Sequence, residues 1–230
     1  MIWTGVPGRV GREAGLSVMG VWVVGALPDQ TVRDLQRAAV PEPPPAPLTP
    51  HHPASAELAW WRSRARHPMF TASRTWPGGW DAGDDAFRLS AFLDTCYDAS
   101  EAAESLRDTV MDQFPQEFGE SLFAAVARKA GPFSALAYAL GPEATLRFPG
   151  RFGEFLFDAG QVRARLPAAE EVLALTGARR RDAADRVHAW LTGLGDAPGH
   201  DAGELLDGPL RVLRYAARTG RGAAGLVRWY

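Results

Sequence analysis

Residues 19–27, "MGVWVVGAL", are apolar almost without a break and are followed at once by Pro28. A short run of β-branched and aromatic residues closed by proline predicts a buried first strand. The spacing then changes. In "PDQTVRDLQRAAV" Val32, Leu35 and Ala39 share one face behind Asp29 and Thr31, either of which can cap, so a short amphipathic helix is expected. Residues 41–55, "PEPPPAPLTPHHPAS", admit neither helix nor central strand, because proline lacks an amide proton and restrains its neighbours. They read as an extended arm.

Helical spacing resumes near Ala56, with Leu58, Trp61 and Ala65 on one face and Arg62 and Arg66 on another, until Pro68. After the loop "RTWPGGWDAG" a helix is expected over about Asp84 to Tyr97, with Leu89, Phe92, Leu93 and Cys96 inward. Ser100 is placed as the N-cap of a next helix carrying Leu106, Val110 and Phe114. "SLFAAVARKAG", stopped by Gly131, reads as a helix, and "PFSALAYALG" as a short further one. The stretch from Ala144 to Leu166 is ambiguous, its Phe152, Phe155 and Phe157 between glycines suggesting strands or a hairpin. A helix is expected to start with Pro167 in its first turn and to stop at Gly177. Another follows with Val187, Trp190 and Leu191 inward, then a last helix and a closing strand, "AAGLVRWY". With strands first and last and helices between, the pattern predicts an α+β fold: a mostly helical single domain over 19–230, with a small sheet pairing the first and last strands. Residues 1–18 lack periodicity and are expected to be an irregular extension.

Composition narrows the functional classes. The chain has 230 residues, 46% of them hydrophobic and 23% charged, enough to bury a sizeable core. A formal charge of −2 leaves no electrostatic footprint for nucleic acid. One cysteine, Cys96, excludes an internal disulfide framework and multi-thiolate zinc sites, and fits a reducing cytoplasm. No apolar run approaches the roughly 20 residues that span a bilayer, so no membrane role is expected. Arg9 and Arg12 ahead of an apolar segment imitate a secretory leader, but its β-branched content favours a strand. The basic residues are almost all arginine, Lys129 being the one lysine, beside abundant alanine, glycine and proline. That bias fits a very GC-rich bacterial genome.

The segment "RTWPGGWDAGDDAFRLSAFLDTCYD" concentrates the candidate chemistry. Asp81, Asp84, Asp85 and Asp94 are candidate acids or bases. On a continuous helix Asp94 and Asp98 share a face, where two carboxylates repel unless a proton or hard cation mediates. The alternative is a helix start, with Asp84 as N-cap, Asp85 favoured by the helix dipole and the others solvated. Trp76 and Trp80 frame a turn and could line a pocket or form a core lid, and Trp60 and Trp61 divide between outward and inward. His188, beside the inward face of its helix, is either a ligand contact or a hydrogen-bonded core residue. His51 and His52 lie in the proline arm. Arg179 to Arg181 read as a solvated helix start or an anion site. Cys96 on a buried face is expected to be inert. No phosphate-binding glycine loop, nucleophile elbow or metal-binding motif is present in the sequence, so neither cofactor nor metal is expected.

Four segments, "MGVWVVGALPDQTVRDL", "WDAGDDAFRLSAFLDT", "ARLPAAEEVLAL" and "LRVLRYAARTGRGAAGLVRWY", resemble in order the landmarks of the bacterial YfbM-like family. Those landmarks are a first strand and helix, a D-x-x-x-x-W/F-x-x-L helix, an L-x-P-E-E-V helix start, and a last helix feeding a terminal strand. The chain departs in its proline arm, its phenylalanine-rich middle and Phe87, where the family has tryptophan. The resemblance implies an α+β fold and no particular activity, so it assigns no site residue. Two functions follow from the residues: a cytoplasmic accessory or binding protein for a protein partner or small ligand, or a cofactor-independent enzyme of a specialised pathway using aspartate acid/base chemistry.

Overall fold

The apolar run that opens the pattern is the middle of the molecule. In a computed structural model, which describes residues 19–39, 55–75, 77–117, 119–195 and 201–230, β1 (Met19–Leu27) pairs antiparallel with β4 (Leu122–Arg128) on one side and β6 (Gly222–Trp229) on the other. β5 (Phe155–Phe157) extends β6, giving the order β4-β1-β6-β5. The first and last strands therefore lie side by side, as expected. Residues 1–18 and the proline arm up to residue 54, with His51 and His52, are outside the described residues.

A central strand is covered on both faces, which is why β1 reads as continuously apolar. On one face Trp22, Val24 and Ala26 join the large core formed with α5 (Pro132–Leu140), α7 (Ala159–Leu173), α8 (Gly177–Gly193) and α9 (Ala202–Thr219). Trp22 is fully buried and meets Phe123 and Phe133 edge-on, ring centroids 5.2 and 5.1 Å apart. On the other face Val23 and Leu27 pack with α1 (Asp29–Ala39), through Val32 and Leu35, and with α4 (Glu101–Met111), through Val110. α2 (Ser55–Arg64) and α3 (Asp84–Asp94) extend the larger core through Leu58, Trp61, Leu89, Phe92 and Leu93.

Several expectations are corrected. "SLFAAVARKAG" contains not a helix but β4, whose Phe123, Ala125 and Ala127 are buried while Val126 and Arg128 are exposed, a period of two. Pro167 lies inside α7 rather than in its first turn, because Asp158 and Gln161 form a reciprocal capping box that starts the helix at Ala159. α7 stops at Leu173, not at Gly177, which instead opens α8. The loop around "PGG" belongs to a hairpin of β2 (Phe70–Ala72) and β3 (Trp80–Ala82) that the pattern did not reveal. The ambiguous middle resolves into α6 (Pro142–Arg147), β5 and the start of α7. Among the described residues no helix is long and apolar enough to cross a membrane.

Helix α9 packs on β4 so closely that a Cβ on Gly208 would lie 2.1 Å from a ring carbon of Phe123. Gly208→Ala is expected to cost about 1–3 kcal/mol by overpacking, against the ~1 kcal/mol helix preference of alanine. Phe123→Leu in the same chain should recover part of that loss. Urea unfolding of the two variants checks this, and a neutral Gly208→Ala would refute the close contact.

Candidate functional site

The predicted aspartates do not converge. Asp81 is exposed on β3 and Asp84 is exposed in the first turn of α3. The N-cap of α3 is Gly83 and not Asp84, so Asp84 and Asp85 favour the helix dipole without closing a cap bond. Asp85 faces Arg64 at 3.6 Å. α3 ends at Asp94, so Asp98 lies in the following turn and the two do not share a helical face. Surrounding protein pushes the Asp94 carboxyl above its usual range by desolvation alone, with no contribution from Asp98.

The predicted aromatic contacts are dispersed as well. Trp76 is outside the described residues, and Trp80 is half-buried against the main core. Trp61 is fully enclosed, edge-on to Phe92 at 6.1 Å, and offers no ring face to a ligand. Trp60 is the outward neighbour, stacked under Arg88. His188 is solvent-exposed on α8 rather than hydrogen-bonded within the core. Arg180 is occupied by a bidentate pair with Asp207 at 2.6 and 2.7 Å, which argues against an anion site there. Cys96 is buried, and desolvation pushes its thiol up to about 11, the inert state expected of it. Among the described residues no group of three or more metal-ligating side chains gathers.

The side chains that do converge lie between α4 and the β5–β6 edge. Ser100 caps α4 by accepting the Ala103 amide, and Asp98 accepts the Ser100 amide at 3.0 Å. Ala103, Leu106, Arg107 and Val110 then recur at helical spacing along the stripe of α4 that faces the sheet. Opposite them, residues 151–154 form a two-residue hairpin turn. Arg151 and Glu154 exchange both backbone bonds, at 2.8 and 3.0 Å, while Phe152 and Gly153 carry φ of 48° and 87°. Positive φ at phenylalanine costs on the order of 1–3 kcal/mol and persists only where surroundings enforce it. Two contacts do so here: the Trp22 indole donates to the Gly153 carbonyl at 3.2 Å, and Phe133 sits where a Cβ on Gly153 would be.

This turn delivers Glu154 to Arg107, which is 3% exposed. Arg107 donates through Nε and Nη2 to both Glu154 oxygens, at 2.7 and 3.0 Å. Its Nη1 donates to the Asp98 carbonyl at 2.6 Å and to Glu104 at 3.1 Å. The guanidinium lies 4.2 Å from the Tyr97 ring centroid. Glu104 also accepts from the Tyr97 hydroxyl and from Arg228, which pairs in turn with Asp108. Burial, with the bond to Glu104, pushes the Tyr97 phenol up to about 12. With four of its five N–H groups bonded, this buried arginine is chiefly a wall and a tether.

Two cavities flank Glu154. Behind it, Asp94, Cys96, Tyr97, Phe152 and Trp229 line a space of about 20 Å³, room for roughly one water. In front, a cleft of about 230 Å³ opens between α4 and the sheet. Leu106, Val110, Leu156 and Leu226 give it an apolar body, and Asp98, Arg107, Arg151 and Glu154 form one polar end. Among the described residues neither Arg151 nor Asp98 has an ion-pair partner within 4 Å. The Asp98 carboxyl is held below its usual range, first by the Ser100 amide, with Arg107 and Arg151 adding to it. Compared with models of known families, with curated proteins and with solved structures, the chain matches none.

Removing one partner of a buried pair strands the other, so Arg107→Ala is expected to cost about 3–5 kcal/mol. The double variant Arg107→Met/Glu154→Met should cost clearly less than the sum of its single changes. Chemical unfolding of the cycle measures this, and strict additivity would show that the pair is not a coupled unit. A second expectation concerns pH. Because the folded Asp94 acid titrates above its unfolded range, the native state binds more protons between the two, and stability falls as pH rises through that window. Asp94→Asn should therefore raise Tm at about pH 7 and leave it unchanged near pH 3, where the acid is protonated in both states. A Tm that drops at pH 7 would contradict the sign.

Proposed function

We propose that this protein is a binding protein for a small amphipathic molecule held in the cleft between α4 and the β5–β6 edge. One observation carries the reading: an apolar cleft of about 230 Å³ ends in two opposite charges, Arg151 and Asp98, that have no ion-pair partner among the described residues. Small-molecule sites characteristically combine an apolar lining with a few placed polar groups, and this volume is below the roughly 300–1,000 Å³ of drug-sized sites. The occupant is therefore small.

Catalysis by Asp81, Asp84, Asp85 or Asp94 draws less support from their placement. Three of them form an open fringe, and the raised acid of Asp94 borders a space for about one water. A role for Trp76, Trp80, Trp61 and His188 as one ligand-contacting set is likewise not favoured by an enclosed Trp61 and a solvent-facing His188. A single buried cysteine fits a reducing compartment, and on that ground the reading places the protein in the cytoplasm. The likeness to YfbM-like landmarks is compatible with this reading and adds no residue to it.

The test is a thermal-shift screen of the full chain against a metabolite panel, run beside Ala103→Phe, which fills the cleft from a half-exposed helix position, and beside Asp84→Asn/Asp85→Asn. At least one compound should stabilise the wild type and the aspartate variant, by about 2.7 kcal/mol at a hundredfold excess over Kd, seen as a concentration-dependent rise in Tm, and leave the Tm of Ala103→Phe unmoved. No shift in the wild type, or a shift surviving in a folded Ala103→Phe, would sink the reading.

A further inference from the structure

The polar end of the cleft can be resolved group by group. Arg107 and Glu154 satisfy each other at 2.7 and 3.0 Å, and Nη1 of Arg107 donates to Asp98 and Glu104. As a pair they contribute no net charge to an occupant, and four of the five Arg107 N–H groups are already taken. What remains is one guanidinium and one carboxylate. Arg151 is exposed at the turn and Asp98 is exposed in the turn before α4. Both line the same cleft, yet among the described residues no ion pair within 4 Å joins the two charged groups or ties either to another, the bond from Arg107 to Asp98 going to the backbone carbonyl.

Such a gap discriminates by charge pattern. A simple carboxylate would satisfy Arg151 and be repelled by Asp98, a simple amine would do the reverse, and a neutral molecule would leave both to water. A zwitterion that carries both charged groups on one carbon offers a partner to each. Beyond the charges the cleft is aliphatic, walled by Leu106, Val110, Leu156 and Leu226. We infer that the cleft takes a free apolar α-amino acid, its carboxylate on Arg151, its ammonium on Asp98 and its side chain between α4 and the sheet. The inference rests on the cleft being the binding site proposed above.

Isothermal titration of the full chain tests it with four probes: L-leucine, 4-methylpentanoate, which lacks the ammonium, 3-methylbutylamine, which lacks the carboxylate, and glycine, which lacks the side chain. Leucine should bind about tenfold or more tightly than each of the other three. Arg151→Gln should weaken leucine about tenfold and abolish its advantage over the amine, and Asp98→Asn should abolish its advantage over 4-methylpentanoate. Both changes are at exposed positions, and asparagine retains the acceptor that closes the turn with Ser100. If 4-methylpentanoate or the amine equals leucine in the wild type, or if leucine ignores both substitutions, the amino-acid assignment is overturned. If none of the four binds while the metabolite panel yields a compound blocked by Ala103→Phe, the cleft stands as a site and only the assignment fails. If leucine binds Ala103→Phe unchanged, both fail.

Discussion

A single buried hydrogen bond joins the core to the surface that carries chemistry. The Trp22 indole, fully enclosed on the central strand, has one polar atom to satisfy, and it does so on the carbonyl of Gly153. Unsatisfied, that N–H would cost about 1–3 kcal/mol. The bond fixes the 151–154 turn in a conformation that phenylalanine alone would avoid, and the turn in turn aims Glu154 at Arg107 and leaves Arg151 at the mouth of the cleft. Core packing and site geometry are thus one constraint seen from two sides.

The ion-pair network gives the cleft its shape rather than its selectivity. α4 is capped at Ser100 and tied to the sheet by Arg107 on one side and by Arg228, through Glu104 and Asp108, on the other. Such tethers hold a helix slightly off a sheet without filling the space between, because charged groups span a distance that leucines would close. The apolar stripe of α4 buries Val110 fully and leaves Ala103 and Leu106 only half-covered. That incomplete coverage is the cleft.

Most of the fold was legible where residues differ strongly between faces. β1, α1, α4, α8 and β6 each show either a continuous apolar run or a clear helical stripe. β4 was not legible, since alanine stands on both its buried and its exposed faces and erases the contrast that marks a strand. Pro167 misled because a proline suits a first turn, yet the capping box at Asp158 and Gln161 sets the start of α7. The β2–β3 hairpin has strands too short for any period to register. In the site, Asp98 was singled out with the wrong companion, because a helix continued past Asp94 would pair the two carboxylates. Arg107 carried a usable signal: an arginine within a stripe otherwise made of Ala103, Leu106 and Val110. Arg151 and Glu154 were hidden by Phe152, which occupies a turn position normally held by asparagine, aspartate or glycine.

The antiparallel zipper between β1 and β6, closed at its end by the exchange of backbone bonds between Met19 and Tyr230 at 2.9 Å each, also sets a timetable. A nascent chain emerges from its N-terminal side, so β1 is made before its second neighbour, which follows every other described element. Until then one edge of β1 stands open, displaying the hydrogen-bonding row that recruits stray strands. The sheet therefore closes only after synthesis of α9 and β6, and the longest-range pairing among the described residues is the one that ends the vulnerable period.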